Sequence, residues 1–251
     1  MAGVEGRVAL VTGGGRGIGR ATAELLASRG AKVMCVARSE QDLADVGLEY
    51  CVADLGSPEG CAHAVAETEQ RLGPIEILVC NHGIGSAHEQ VVWKQQADVW
   101  SETMRINLDG PFYLSKLVMK SMIERRFGRI VFTSSTAGMI AEPAGSAYNS
   151  SKHGLLGLMR SVATDGGAFG ITSNAVLPGW VRTEMAERSA RQEAQDRDIT
   201  SEQVWEERAA LYPAGRVATP QEVAEMIAFL ASEESSGVSG EAIRVALASV
   251  Y

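Results

Sequence analysis

The sequence predicts an open α/β fold: a doubly wound, parallel sheet of seven strands in a single domain, with helices on both faces. Three observations lead there. Short apolar runs alternate with helix-forming stretches along nearly the whole chain. That alternation is the pattern of βαβ units with right-handed crossovers. The first run, Val8-Ala9-Leu10-Val11, leads into the glycine-rich turn Thr12-Gly13-Gly14-Gly15-Arg16-Gly17-Ile18-Gly19 and then a helical segment. With 251 residues, 45% of them hydrophobic and 22% charged, one domain with a large core is comfortable.

The elements follow in order. Strands are expected near 7–12, 31–36, 48–53, 75–80, 129–133, 172–177 and 242–245, each a run of the kind buried on both faces. Helices are expected near 17–29, 58–72, 97–122, 148–168 and 220–232. The first is rich in good helix formers from Arg20 to Ala27. The connection from Ser39 to Gly47 leaves room for about two turns near Gln41–Val46. Gly166-Gly167 are poor helix formers, so that helix end is expected to fray. The polar, helix-prone segment 184–213 interrupts the alternation after the sixth strand. An insertion at the carboxyl end of a parallel sheet is where a mobile substrate lid belongs.

Composition narrows the function. A net charge of −8 argues against a nucleic-acid surface, which needs a basic field. No apolar run approaches the ~20 residues of a membrane helix. Met1–Arg7 has no apolar core after a basic start, so a cytoplasmic protein is expected. Cys35, Cys51, Cys61 and Cys80 show no C-x-x-C spacing and are expected as buried, reduced thiols. The histidines at 63, 82, 88 and 153 form no metal-ligand pattern.

The glycine turn sits between strand and helix, where a dinucleotide loop must lie. Glycines allow a sharp turn and close approach to a pyrophosphate, and the helix start favours its charge. The spacing is G-x-x-x-G-x-G, so the turn alone equally fits a tight structural corner. Downstream, Tyr148 and Lys152 are i and i+4 and share a helix face. A tyrosine hydroxyl titrates near 10, and a neighbouring ammonium lowers that value. Ser135 follows the fifth strand and could hydrogen-bond a carbonyl whose oxygen gains negative charge. Asn107 lies four residues before Pro111 in the 97–122 helix. Proline has no N–H, so the Asn107 carbonyl is expected to lose its helical partner and to be able to hold a water.

These segments, with Leu78-Val79-Cys80-Asn81-His82-Gly83 and Asn174-Ala175-Val176-Leu177-Pro178-Gly179, occur in an order and spacing that resembles the short-chain dehydrogenase/reductase family. Similarity is greatest to 3-oxoacyl-thioester reductases and polyketide ketoreductases, over about residues 6–245. The resemblance implies a Rossmann fold. It implies a catalytic set of Asn107, Ser135, Tyr148 and Lys152, with Asn107 supporting a water relay from the lysine. It places Gly13, Gly15, Arg16, Gly17, Ile18, Gly19, Arg38, Asp54, Leu55, Asn81, Gly83, Tyr148, Lys152, Pro178, Gly179, Val181 and Thr183 along a nicotinamide cofactor. Asp54 corresponds to the adenine contact and Thr183 to the nicotinamide amide contact. His82 replaces an alanine of the family pattern and reads as a structural substitution. Ala246-Leu247-Ala248 replace a usual Asp-Gly-Gly.

In family members that prefer NAD, an acidic residue ends the second strand. Here Ala37 stands there, followed by Arg38, with Arg16 in the glycine turn. Two arginines without that carboxylate favour a 2′-phosphate, hence NADPH/NADP+ rather than NADH. The leading expectation is a cytoplasmic reductase of a small-molecule ketone, such as a β-keto acyl thioester, a β-keto ester or an aryl ketone. The alternatives are an NADP-dependent alcohol dehydrogenase working oxidatively and a non-catalytic NADP(H) sensor. The substrate contacts expected are Ser135, Tyr148, Trp180 and Met185, with Met139, Ile140 and Pro143 on the opposite wall of a mostly apolar pocket. Phe112, Leu117, Val118 and Met122 on one helix, and Leu155, Leu156, Leu158 and Met159 on another, form apolar stripes. One stripe can cover the sheet and the other wants a partner, and the resemblance points to a homotetramer.

Overall fold

In the computed structural model, which describes residues 3–85 and 90–248, the strands are β1 (Val8–Thr12), β2 (Lys32–Ala37), β3 (Glu49–Val52), β4 (Ile77–Cys80), β5 (Gly128–Thr133), β6 (Ile171–Pro178) and β7 (Ala242–Val245). The helices are α1 (Gly17–Ser28), α2 (Glu40–Ala44), α3 (Pro58–Leu72), α4 (Ala97–Met104), α5 (Gly110–Arg125), α6 (Ser146–Gly166), α7 (Glu184–Arg197), α8 (Ser201–Ala210) and α9 (Pro220–Leu230). His88 and the last three residues lie outside the described residues.

All seven strands are parallel, in the order β3-β2-β1-β4-β5-β6-β7. Successive residues of each strand feed opposite layers, because side chains alternate across a pleated sheet. Leu10, Met34, Leu78, Ile130 and Phe132 pack with Leu114, Met122, Leu155 and Met159 on the α3-α5-α6 side. Ala9, Val11, Val33, Val79 and Val131 pack with Leu26, Val223 and Ile227 on the α1-α9 side. The strand order reverses between β1 and β4, so a crevice opens there at the carboxyl ends.

Three expectations change. The 97–122 helix is broken into α4, a π-helical turn (Arg105–Asp109) and α5. The Gly110 N–H reaches Arg105 O, one residue beyond the α-helical partner. Pro111 follows this turn and supplies no N–H to continue it. Gly166 does not loosen its helix end: the helix continues into a 3-10 turn, and a Cβ there would lie 2.9 Å from Ile171 Cβ. The apolar stripes divide differently. Val118, Met122, Leu155, Leu156 and Met159 are all core, and the exposed apolar residues of this region are Trp100, Phe112 and Leu117. Leu247 and Ala248 hold positive φ, the conformation that glycine adopts most readily, at the positions where relatives were expected to carry glycine.

Residues 184–213 form a helical hairpin, α7 and α8, with a small core of its own: Ala186, Ala190, Ala194, Val204 and Trp205. Thr183 caps α7 by accepting from Ala186 N at 3.3 Å. Thr200 and Gln203 form a reciprocal cap on α8.

Candidate active site

A cleft of about 1130 Å³ runs across the carboxyl ends of the strands. Every residue selected from the sequence as a site residue lines it, except Gly19, Asn107 and, on the expected pocket wall, Met139. At its centre the glycine turn is drawn tight. Gly13 holds φ 64°, and a Cβ on Gly19 would lie 2.1 Å from Gly13 O, so neither position accepts a side chain. α1 then begins with no side-chain cap and no acid in its first turn. Its leading N–H groups face the cleft with their partial positive charge uncompensated, which suits a pyrophosphate.

Arg16 and Arg38 line the end of the cleft beside β2. The sequence has no carboxylate at the end of β2, but the fold brings one in from α2. Asp42 Oδ2 lies 3.4 Å from Arg16 Nε. Arg16 also reaches Glu184, the first residue of α7, at 3.2 Å. The available signal was local: Ser39 caps α2 by accepting from Asp42 N, the S-x-x-D spacing that fixes Asp42 at the third helical position. Asp54 accepts from Gly56 N at 3.1 Å and from Arg105 at 3.0 Å. Burial opposes ionisation of Asp54, but these donors outweigh it and lower its pKa.

Across the cleft, α6 carries Tyr148 and Lys152 one turn apart. Lys152 is 5% exposed and donates from Nζ to the Thr133 carbonyl at 2.9 Å. Its Nζ stands 5.6 Å from the Tyr148 ring centroid. Burial lowers its ammonium to about 8, because a low-dielectric site penalises the charged form. Ser135 Oγ accepts from Ala137 N at 3.1 Å, and Ser134 Oγ donates to Lys152 O. The Thr133 and Ser134 bonds tie the end of β5 to α6 at Lys152.

Asn107 stands behind this pair. Its Nδ2 donates to Ile84 O (3.0 Å) and Ser151 Oγ (3.1 Å), and its Oδ1 accepts from Ile84 N (2.8 Å). Ser151 Oγ in turn donates to Tyr148 O. One buried amide therefore couples the loop after β4 to the helix bearing Tyr148. His82 lies alongside, with Nδ1 2.8 Å from Thr12 Oγ1. Burial and the Lys152 charge lower its pKa to about 3, so the ring is neutral. It packs against Gly110, where a Cβ would meet Nε2 at 2.7 Å. That contact braces the π turn.

The pocket beyond Ser135 and Tyr148 carries polar groups among its apolar lining. Ile140, Pro143, Trp180, Met185 and Leu211 line it, and so do Glu142, Arg188, Ser189 and Glu193. Met139 does not: the 3-10 turn Thr136–Gly138 rotates it outward, and it is 54% exposed. The four cysteines are buried and unpaired, and burial raises the Cys35 and Cys61 thiols to about 12. Among the described residues, no group of His, Cys, Asp or Glu could hold a metal ion. Nor is any helix long and apolar enough to cross a membrane.

An uncapped helix start, a close-packed glycine turn and a tyrosine set one helical turn from a buried lysine, all on one cleft, define a dinucleotide-dependent oxidoreductase site. The comparisons agree. The family model described as Enoyl-(Acyl carrier protein) reductase matches residues 13–246. The chain is 36% identical to 3-oxoacyl-(acyl-carrier-protein) reductase FabG of Vibrio cholerae, over 96% of each chain. It is 36% identical to acetoacetyl-CoA reductase of Shinella zoogloeoides, over 94% of this chain and 95% of that one. A solved variant of actinorhodin polyketide ketoreductase with NADPH superposes with a TM-score of 0.90 at 32% identity, over 98% of each chain. The chain belongs to the short-chain dehydrogenase/reductase family and is an oxidoreductase acting on CH–OH/C=O groups.

Proposed function

We propose that this protein is an NADPH-dependent ketone reductase that yields a secondary alcohol, with Tyr148 as proton donor. The observation that carries the proposal is Lys152, an ammonium buried in the fold, held by Thr133 O and set against Tyr148. A fold keeps so unfavourable a group where its charge has a use.

The cradle fits the cofactor. The α1 start would hold the pyrophosphate, Arg16 and Arg38 a 2′-phosphate, and Pro178, Gly179, Val181 and Thr183 the nicotinamide end. When bound, the cofactor supplies a hydride to the ketone carbon. Ser135 Oγ hydrogen-bonds the carbonyl oxygen and stabilises the charge that grows on it. Tyr148 gives that oxygen its proton, and Lys152 stabilises the phenolate left behind. Asn107 keeps Ile84 and Ser151 in place, a positioning role alongside the water relay implied by the family. The helical hairpin α7–α8 serves as the substrate lid of the single domain 1–251, with Trp180 and Met185 at the pocket. The substrates we favour are β-keto acyl thioesters, β-keto esters or aryl ketones, since the relatives named above act on 3-oxoacyl and acetoacetyl thioesters. The test is NADPH oxidation that starts only when such a ketone is added. Oxidation with no ketone, or none with any of the three classes, contradicts the reading.

Arg38→Asp should shift the NADPH-to-NADH ratio of kcat/KM toward NADH by roughly 10–100-fold, since losing a charged hydrogen bond costs about 1.5–3 kcal/mol. An unmoved ratio removes Arg38 as the 2′-phosphate reader. We also propose a cytoplasmic homotetramer assembled partly over exposed Trp100, Phe112 and Leu117. Light scattering should give four times the chain mass, and a monomer at micromolar concentration contradicts it.

A further inference from the structure

Trp180 borders the cleft, and a buried cation is stacked on its ring. Arg208, from α8, places Cζ 3.7 Å from the Trp180 ring centroid and 5.0 Å from that of Trp205. Arg208 is 4% exposed and does not itself line the cleft. Its Nη1 donates to Ala186 O (3.3 Å), and its Nη2 to Ser189 Oγ (3.2 Å) and Glu193 Oε2 (2.9 Å). Its Nε is buried without a hydrogen-bond partner. Glu193 is the carboxylate bonded to it among the described residues, and that carboxylate also serves Arg197 at 2.8 Å. The guanidinium is therefore only partly neutralised.

Trp180 is fixed from two more directions. Its backbone N–H donates to the Tyr212 hydroxyl at 2.6 Å. The Trp205 ring stands edge-on to it, with centroids 6.5 Å apart and planes at 86°. The Arg208 charge is felt inside the cleft: burial raises the Glu142 carboxyl and the Tyr212 hydroxyl, and Arg208 pulls both back.

A cation over an indole draws on the ring's electron density, most strongly where water is excluded. What the cleft then meets is a rigid, flat, electron-poor ring. Such a rigid, flat wall suits a planar π group laid against it, since aromatic pairs gain energy beyond the area they bury. A flexible acyl chain gains only burial there. We propose that Arg208 is a positioning residue that holds and polarises Trp180 as a stacking platform, and that the site selects aryl or conjugated ketones over straight-chain ones. This rests on the ketone-reductase reading.

The experiment compares ethyl benzoylacetate with ethyl acetoacetate in the wild type, Arg208→Met, Arg208→Lys, Trp180→Ala and the Arg208→Met/Trp180→Ala double variant. In Arg208→Met the aryl-to-alkyl ratio of kcat/KM should fall several-fold, the scale of one aromatic pair's gain beyond burial, mainly through KM for the aryl ester. Arg208→Lys should recover part of it, because it keeps the charge but not the planar fork. The double variant should lose no more selectivity than Trp180→Ala alone, as coupled residues do. A merely structural arginine would move both esters together, and that parallel loss, or an unmoved ratio, overturns the proposal. If the wild type reduces neither ester, the ketone-reductase reading fails separately. Calorimetric affinities of the two esters for the same variants then decide the platform: selective loss of aryl binding supports it, and equal affinities overturn it.

Discussion

Tyr148→Phe should lower kcat/KM for ketone reduction by roughly 10²–10⁴-fold, the usual contribution of a positioned general acid. NADPH affinity should stay within about twofold, because the ring and its packing remain and only the hydroxyl is lost. Tyr148 lines the cleft and shares an α6 face with Lys152, so the substitution removes the proton source without opening a cavity. Single-turnover rates and fluorescence titration with NADPH separate the two effects. A variant that keeps more than about a tenth of the wild-type rate shows that another group delivers the proton.

Lys152→Met should be nearly as damaging to catalysis yet should not weaken the fold at neutral pH. Burial lowers the Lys152 ammonium from 10.5 to about 8. Below pH 8 the folded protein therefore carries a charge that the unfolded chain hydrates more favourably. Between 8 and 10.5 the unfolded chain binds more protons, so wild-type stability rises with pH across that window. Methionine has no such dependence. Its thermal midpoint relative to wild type should be highest near pH 7 and should fall as pH rises through the window. The stabilisation is a few kcal/mol at most, since a tenfold change in proton affinity is worth about 1.4 kcal/mol. An unsatisfied Thr133 carbonyl offsets about 1–3 kcal/mol of it. A variant whose midpoint stays below wild type by a constant amount from pH 6 to 10.5 contradicts the buried-charge account.

The parts of the molecule visible in the sequence are those set by local pattern. A parallel strand buried on both faces must be an apolar run, and all seven runs became strands. Tyr148 and Lys152 could be paired because helical spacing alone puts i and i+4 on one face. Other features depend on contacts distant in the chain. Asp42 enters the cofactor groove because α2 folds back against the glycine turn, where a Cβ on Gly15 would touch it. Arg208 looks like a surface charge on a polar helix until α7 and α8 close over it. Met139 falls outside the pocket because a 3-10 turn, not an extended loop, follows Ser135. Pro111 foretold a disturbed helix, but not the π turn that precedes it.

The central claim is that this cleft moves a hydride from NADPH to a ketone carbon while Tyr148 protonates its oxygen. Label transfer tests that most directly. The protein is incubated with acetoacetyl-CoA and NADPH deuterated at C4, with each prochiral position labelled in a separate reaction. One of the two labels should appear quantitatively at the carbinol carbon of 3-hydroxybutyryl-CoA, in a single configuration, and Tyr148→Phe should slow that transfer by roughly 10²–10⁴-fold. Deuterium retained in the cofactor in both reactions, or NADPH consumed with no labelled alcohol formed, would contradict the claim.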